Sequence, residues 1–476
     1  MDPFASASET LRALRRREVG ALELLEAQLA RVEQWNGKLN AIVWMDLERA
    51  RDAARALDAR PASPEQVLFG LPMTVKESFD LAGAPSTWGM PELRGNIARS
   101  DSVVVERLRA AGAVVFGKTN VPFGLGDIQS FNAIYGSTGN PWDPARTPGG
   151  SSGGAAAALA SGMAALEVGS DIAGSIRYPA HYCGVFGHKP TYGLIPLRGH
   201  APPGGLAEPD IAVAGPLARS AADLDLALDV LARPDLLHAG LRLDLPRFRG
   251  TKHRRVALWP NDAVAPVARA VEQRVRDVGR ALAELGARVD DQARPAFESA
   301  HARRVFGALL NGFMAGTLPA PVYEALARQA AALDPADRSD AAEILRAQTM
   351  SHRDWLGFHE ARERLRWAWQ RLFEEYDLVV MPIAATSAFP RDEGPMNARR
   401  IDVDGETQGH FQQLFWAGLT GVAQLPSTVV PAAPDANGLP IGVQLVGPAY
   451  GDRVTLGAAA ALEATGFAFR PPPGIF

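Results

Sequence analysis

The sequence predicts an α/β fold with a central mixed β-sheet covered by helices on both sides. Three observations carry that expectation. Short apolar runs with turn residues at their edges, LFGLPMTVKESFD at 68–80 and AVVFGKTN at 113–120, are separated by a stretch of helical spacing. The joins between these segments are short. Two more apolar runs, DLVVMPIA at 377–384 and LPIGVQLVGP at 439–448, return late in the chain as candidate core strands. Strand, helix and strand with brief connections is the pattern of a parallel or mixed sheet covered by helices.

Taken in order, residues Ser8 to Leu57 read as helical, with Leu22, Leu24, Leu25 and Leu29 at helical spacing among Ala, Arg and Glu. SDSVVVERLRAAG at 100–112 reads as a helix opened by Ser100 or Asp101 and stopped by Gly112. From Gly136 to Gly193 the chain turns rich in Gly and Ser, which marks close backbone approaches or positive φ. Within it, the Ala-rich run from Gly154 to Gly169 reads as a buried helix rather than a membrane span. Residues 264–376 are helical in pattern and include the amphipathic HRDWLGFHEARERLRWAWQRLFEEY; Asp452 to Thr465 form a closing helix. No linker, charge block or repeat divides the chain. The expectation is one domain over 1–476: a helical N-terminal region to about 65, an α/β core over about 66–250 and 377–476, and a helical insertion over about 264–376.

Bulk properties narrow the function. With 476 residues, 47% of them hydrophobic, the chain can build a sizeable core. The near-balance of 49 basic and 53 acidic residues gives no reason to expect nucleic acid or an anionic membrane as partner. A single cysteine, Cys183, excludes an intramolecular disulfide and a cysteine-built metal site. It lacks a motif histidine and reads as packing. The N-terminal stretch has no apolar core before a small-residue cleavage site, so a soluble cytoplasmic protein is expected. HExxH, paired CxxC and clustered His–carboxylate motifs are absent, so no metal or other cofactor is expected.

Three segments carry chemistry: MTVKESFD around Lys76, TPGGSSGG around Ser151 and GSDIAGSIRYP around Ser175. Alone, each has an ordinary reading as a surface lysine, a flexible turn or a helix cap. GxxxxGK[ST] is absent, and neither glycine cluster forms GxGxxG before a helix, which removes the usual phosphate cradles. Together the segments resemble the amidase signature family, in which GGSSGG is followed by a GxDxxGSIRxPA stretch and an earlier strand carries a lysine. The resemblance extends to KTNVP at 118–122, GSTGNPWDPARTPGGSSGG at 136–154, CGVFGHKPTYGLIP at 183–196 and LPIGVQLVGP at 439–448.

That resemblance implies a hydrolase of linear amides with Ser175 as nucleophile, Ser151 as proton relay and Lys76 as base. It also implies a cis peptide bond at Ser151, with Gly149, Gly150, Gly153 and Gly154 relieving the crowding there. The chemistry agrees. A serine hydroxyl attacks an amide only if a base takes its proton, and no histidine stands by motif beside either glycine–serine turn. A free lysine, with a pKa of about 10.4, is protonated at neutral pH, but burial lowers that value by up to about 3–5 units. Backbone N–H groups of Ile172, Ala173, Gly174 and Ser175 are the candidate oxyanion donors. Where the family has glycine and threonine this chain has Ala173 and Ser170, so less room above the hole is expected. Ser152 is a candidate brace for the catalytic serine, and Asp171 and Arg177 read as structural support.

By the same alignment, Leu125 and Asp127 lie near the reacting carbonyl, with Gly149 and Gly150 beside the substrate. Asp127 would accept a hydrogen bond from a substrate N–H, or hold an Asx turn. Trp88 and Met90 offer apolar wall or core. The expected partner is a small-molecule amide, with esters, anilides and carbamates as further substrates; a homodimer is an arrangement the sequence permits. The alternative reading is the glutaminase subunit of a tRNA-dependent amidotransferase. That subunit carries an MDEF-type segment after KTN, whereas this chain has VPFG at 121–124.

Overall fold

A computed structural model describes residues 2–475. The chain opens with α1 (Ala7–Arg15) and α2 (Ala21–Leu39), then a strand, β1 (Ile42–Met45), and α3 (Leu47–Asp58). Strand β1 departs from the helical expectation for this region. Asn40, at φ 49°, ends α2 in the left-handed conformation, and the Asp46 side chain opens α3 by accepting from the Arg49 N–H. The IVWM between them is β-branched and aromatic, and it joins a sheet.

That sheet has the order β1-β3-β2, where β2 (Pro72–Lys76) and β3 (Val114–Thr119) are parallel and β1 pairs antiparallel with β3. The crossover helix α4 (Val103–Ala110) starts later than the sequence suggested. Ser102 caps it by accepting from Val105 N–H, while Asp101 accepts from Ala82 N–H and pairs with Arg109. A short hairpin, β4 (Phe131–Asn132) and β5 (Gly136–Ser137), follows.

The Ala-rich run is helical only in its first half. It forms α5 (Gly153–Ala160), turns at Gly162, and continues as β6 (Leu166–Asp171). Then come α6 (Arg177–Cys183), β7 (Phe186–Lys189), β8 (Val213–Ala218) and α7 (Ala221–Leu231). Strand β9 (Arg255–Leu258), helix α8 (Arg269–Glu284) and strand β10 (Arg288–Asp290) make a parallel unit. The stretch 264–376 is thus not wholly helical, since it supplies β10. Its remainder is α9 (Ser299–Ala315), α10 (Ala320–Ala331), α11 (Asp340–Gln348) and α12 (His352–Glu375).

The last segment holds β11 (Leu378–Pro382), the hairpin β12 (Arg400–Val403) and β13 (Glu406–Gly409), α13 (Phe415–Gly421), β14 (Ser427–Pro431), β15 (Gly442–Val446) and α14 (Asp452–Glu463). The main sheet has eight strands in the order β10-β9-β11-β15-β14-β7-β8-β6, with parallel and antiparallel pairs. Helices α6 and α14 pack on β14, α7 on β8 and α8 on β11. The small sheet meets the large one where β2 runs against β6. That contact brings Lys76, at the end of β2, to the end of β6. Among the described residues no helix is long and apolar enough to cross a membrane.

Candidate active site

Lys76 is wholly buried, at 0% exposure, among the apolar side chains of β2. Its Nζ lies 2.7 Å from Ser151 Oγ and 2.9 Å from Ser170 Oγ. Burial holds its pKa down at about 7, against a partial upward pull from the Asp171 charge. At that value the amine is neutral in a large share of molecules near neutral pH. A neutral Nζ has one lone pair to take a proton from Ser151 and N–H groups left to donate to Ser170. Ser151 follows a cis Gly150–Ser151 peptide bond in the turn that opens α5. It is 1% exposed, whereas Ser175 is 7% exposed. Exposure therefore grows from Lys76 to Ser175, although all three residues are buried. Among the described residues no histidine hydrogen-bonds Ser151 or Ser175: His200 bonds to Ser78, and His181 and His188 are satisfied elsewhere.

The turn from Ile172 to Ile176 is wound around Asp171. Its Oδ1 accepts from the Gly174 N–H at 2.8 Å and its Oδ2 from the Ile176 N–H at 3.1 Å. Arg177 then clasps both oxygens through Nε and Nη2, each at 2.9 Å. Burial alone would raise the Asp171 pKa, but Arg177 and Lys189 hold it at about 2. The Gly174 N–H is consequently committed to Asp171 and is not a free oxyanion donor, which corrects the expectation of four. The N–H groups of Ile172, Ala173 and Ser175 have no protein acceptor among the described residues and remain candidates. Gly174 itself is required: φ is +104°, and a Cβ there would lie 2.2 Å from the Tyr178 ring. Ser152 ties the two serine turns together, its N–H donating to Ser175 O at 3.1 Å and its hydroxyl to Ser170 O at 3.3 Å.

Asp127 stands beside the turn, with its backbone oxygen against Gly150, but its carboxylate is taken. Arg399 Nη1 donates to Oδ2 at 2.6 Å, and the Gln129 N–H to Oδ1 at 3.2 Å. The Asx-turn reading holds locally, and the ion pair was not legible in the sequence. Leu125 sits half-buried at φ 57° in a 3-10 turn, Phe123–Leu125. Gly149 packs against Pro179. Trp88 lies tilted against His200, with ring centroids 5.0 Å apart, and its ring N–H is buried without a partner among the described residues. Cys183 is buried, with its thiol pKa pushed up by burial, far from thiolate reactivity. Among the described residues no group of three or more His, Cys, Asp or Glu is arranged to hold a metal ion.

Several residues around the site escaped sequence reasoning. Ser170 is the second partner of Lys76; the signal was a hydroxyl kept where the family has threonine. Glu167, fully buried on β6, hydrogen-bonds Thr74 of β2, and burial raises its pKa to about 8. It joins the two sheets two residues ahead of Lys76. His200, pushed down to about 3 by burial and by Lys76, lies neutral between Phe79 and Trp88.

A family model described as Amidase matches residues 23–456. The chain is similar to indoleacetamide hydrolase of Bradyrhizobium diazoefficiens, at 35% identity over 96% of this chain and 86% of that protein. It is also similar to one subunit of the glutamyl-tRNA(Gln) amidotransferase of an Anaeromyxobacter species, at 33% identity over 94% and 93% of the two chains. Among solved structures, that of 6-aminohexanoate cyclic dimer hydrolase with substrate matches with a TM-score of 0.79. Identity there is 26%, over 100% of this chain and 98% of that one.

Proposed function

The chain belongs to the amidase family and is an amide hydrolase; from that premise we propose that it cleaves carboxylic amides through an acyl-enzyme on Ser175. The observation that carries this reading is the 2.7 Å contact between a fully buried Lys76 and Ser151. Ser175 Oγ attacks the amide carbonyl while its proton passes to Ser151, whose own proton passes to Lys76. The carbonyl oxygen gains negative charge and is met by the free N–H groups of the Ile172–Ser175 turn. Lysinium then returns a proton through Ser151 to the nitrogen, which leaves as neutral amine or ammonia. Water attacks the acyl-Ser175 ester by the same proton route in reverse order and releases the acid. Esters, anilides and carbamates present the same kind of acyl carbon and are included in the proposal.

The purified protein alone is the right material for the test. Incubation with a fluorophosphonate labels Ser175, seen by peptide mass spectrometry, and Ser175→Ala abolishes both labelling and hydrolysis. Stoichiometric labelling of Cys183, or full activity in Ser175→Ala, refutes the assignment. The similarity to an amidotransferase component puts glutamine among the test substrates, together with short aliphatic amides, anilides and aryl carbamates. Glutaminase activity that appears only with added partner subunits would move the reading to that class.

A further inference from the structure

The peptide that presents Ser151 is gripped from outside by residues 127–130. A Cβ built on Gly150 would lie 2.3 Å from Gln129 O and 2.4 Å from Asp127 O, so those carbonyls rest directly on the Gly150 backbone. Ser130 Oγ donates to Gly149 O at 3.0 Å and accepts from the Gly153 N–H at 3.1 Å. The bracket thus holds the chain on both sides of Ser151. It is in turn held by a distant segment. Gln129 exchanges two hydrogen bonds with the Asp392 backbone, at 2.7 and 3.0 Å, and Asp127 pairs with Arg399 at 2.6 Å. Arg399 Nε also donates to Gly394 O at 2.8 Å, closing residues 392–399 into one strap.

We infer that Arg399 and Gln129 are positioning residues: the strap 392–399 presses the 127–130 bracket onto Gly150 and so fixes Ser151 relative to Lys76. The inference rests on the reading of Ser151 as proton relay. Arg399 and Asp127 are both almost completely buried. A buried ion pair gains little net stability over a well-packed apolar contact, so stability alone is a weak account of this one. Here it bears on a backbone stretch whose displacement changes a proton-transfer distance. A shift of about 1 Å at a reacting group costs on the order of 10²-fold in rate. That cost falls on substrates whose leaving group needs the relayed proton. Activated esters expel a stable anion and depend on the relay less.

The test compares an anilide and an activated aryl ester of the same acid. With Arg399→Gln, kcat on the anilide falls by about tenfold or more, while kcat on the ester falls less than about threefold and KM stays near wild type. Arg399→Lys recovers most of the anilide rate. Gln129→Ala moves the ratio the same way and leaves no buried charge unpaired, so it carries the test if melting shows Arg399→Gln to be unfolded. Parallel loss on both substrates, a change confined to KM, or no change in either variant overturns the inference. Ser151→Ala separates this from the underlying reading. If it preserves the anilide-to-ester ratio, the relay itself is wrong. If it collapses the ratio and the strap variants do not, only the positioning role is wrong.

Discussion

Of the three fully buried lysines among the described residues, Lys76 and Lys189 stand at the ends of β2 and β7, and burial lowers both to a pKa of about 7. Their surroundings differ. Lys76 Nζ meets the hydroxyls of Ser151 and Ser170, whereas Lys189 Nζ donates to the Pro190 carbonyl at 3.1 Å. A hydroxyl gives up a proton and accepts another; a backbone carbonyl only accepts a hydrogen bond. A depressed pKa therefore makes a lysine available as a base, and the atom beside it decides whether it is used as one. Asp171 pulls upward on both amines, so the two regions share one electrostatic neighbour.

The largest expected effect breaks the comparison at Lys76. Lys76→Ala and Lys76→Arg each lower kcat/KM on an amide by about 10³-fold, the scale of a lost general base. Arginine keeps the charge but does not deprotonate in the working range. In the wild type, the lowered pKa means that the base form accumulates as pH rises through about 7, so kcat/KM climbs to a plateau above it. pH–rate profiles on a matched amide and ester, after melting curves confirm folding, check this. A Lys76→Arg protein that hydrolyses the amide at near wild-type rate would reduce the lysine to a fixed charge.

The next effect tests the shared neighbour. Asp171→Asn leaves Arg177 as a buried cation with a poor partner, a loss of about 3–5 kcal/mol in a denaturant titration. It also removes the negative charge that pulls the Lys76 pKa upward. The rising limb of the residual activity should therefore move to lower pH. A limb that stays in place in a folded variant would show that Asp171 acts on the Ile172–Ile176 turn alone.

What was legible in the sequence follows from which constraints are local. The serine turns stood out because backbone contacts at Gly150 and Gly174 leave no room for a side chain, and such needs write glycine into short stretches. Lys76 is legible through the family resemblance, and its neighbours Met73, Thr74 and Val75 are compatible with a buried strand. The partners that tune the site are encoded in single residues far along the chain. Arg399 for Asp127, Asp392 for Gln129 and Gln444 for Arg177 make no pattern at any spacing. Even the local misreadings are physical. Strand β1 is four residues between two helices, and helical spacing on either side masks it. The Ala-rich run changes from helix to strand at one glycine.

The smallest expected effect on activity sharpens the comparison from the other side. Lys189→Met replaces the amine with an unbranched apolar chain and should leave amide turnover within about threefold, under 1 kcal/mol of transition-state stabilisation. The rising limb near pH 7 should stay where it is, because the titration that controls turnover belongs to Lys76. Stability should respond instead, and its sign follows from the depressed pKa of Lys189. Between the unfolded value of about 10.4 and the folded value, the unfolded chain binds a proton that the native protein does not. Wild-type stability therefore falls as pH drops through that window and levels off below the folded value. Lys189→Met has no such proton to bind, so its advantage over wild type grows from pH 10 down to pH 7. Replacing buried ionic groups by apolar ones of similar volume is stabilising by up to about 1–4 kcal/mol, and urea titrations at pH 7, 8.5 and 10 would measure the gap. A gap that shrinks toward neutral pH, or a displaced activity limb in Lys189→Met, would mean that the two buried lysines titrate as one system and that the contrast between them fails.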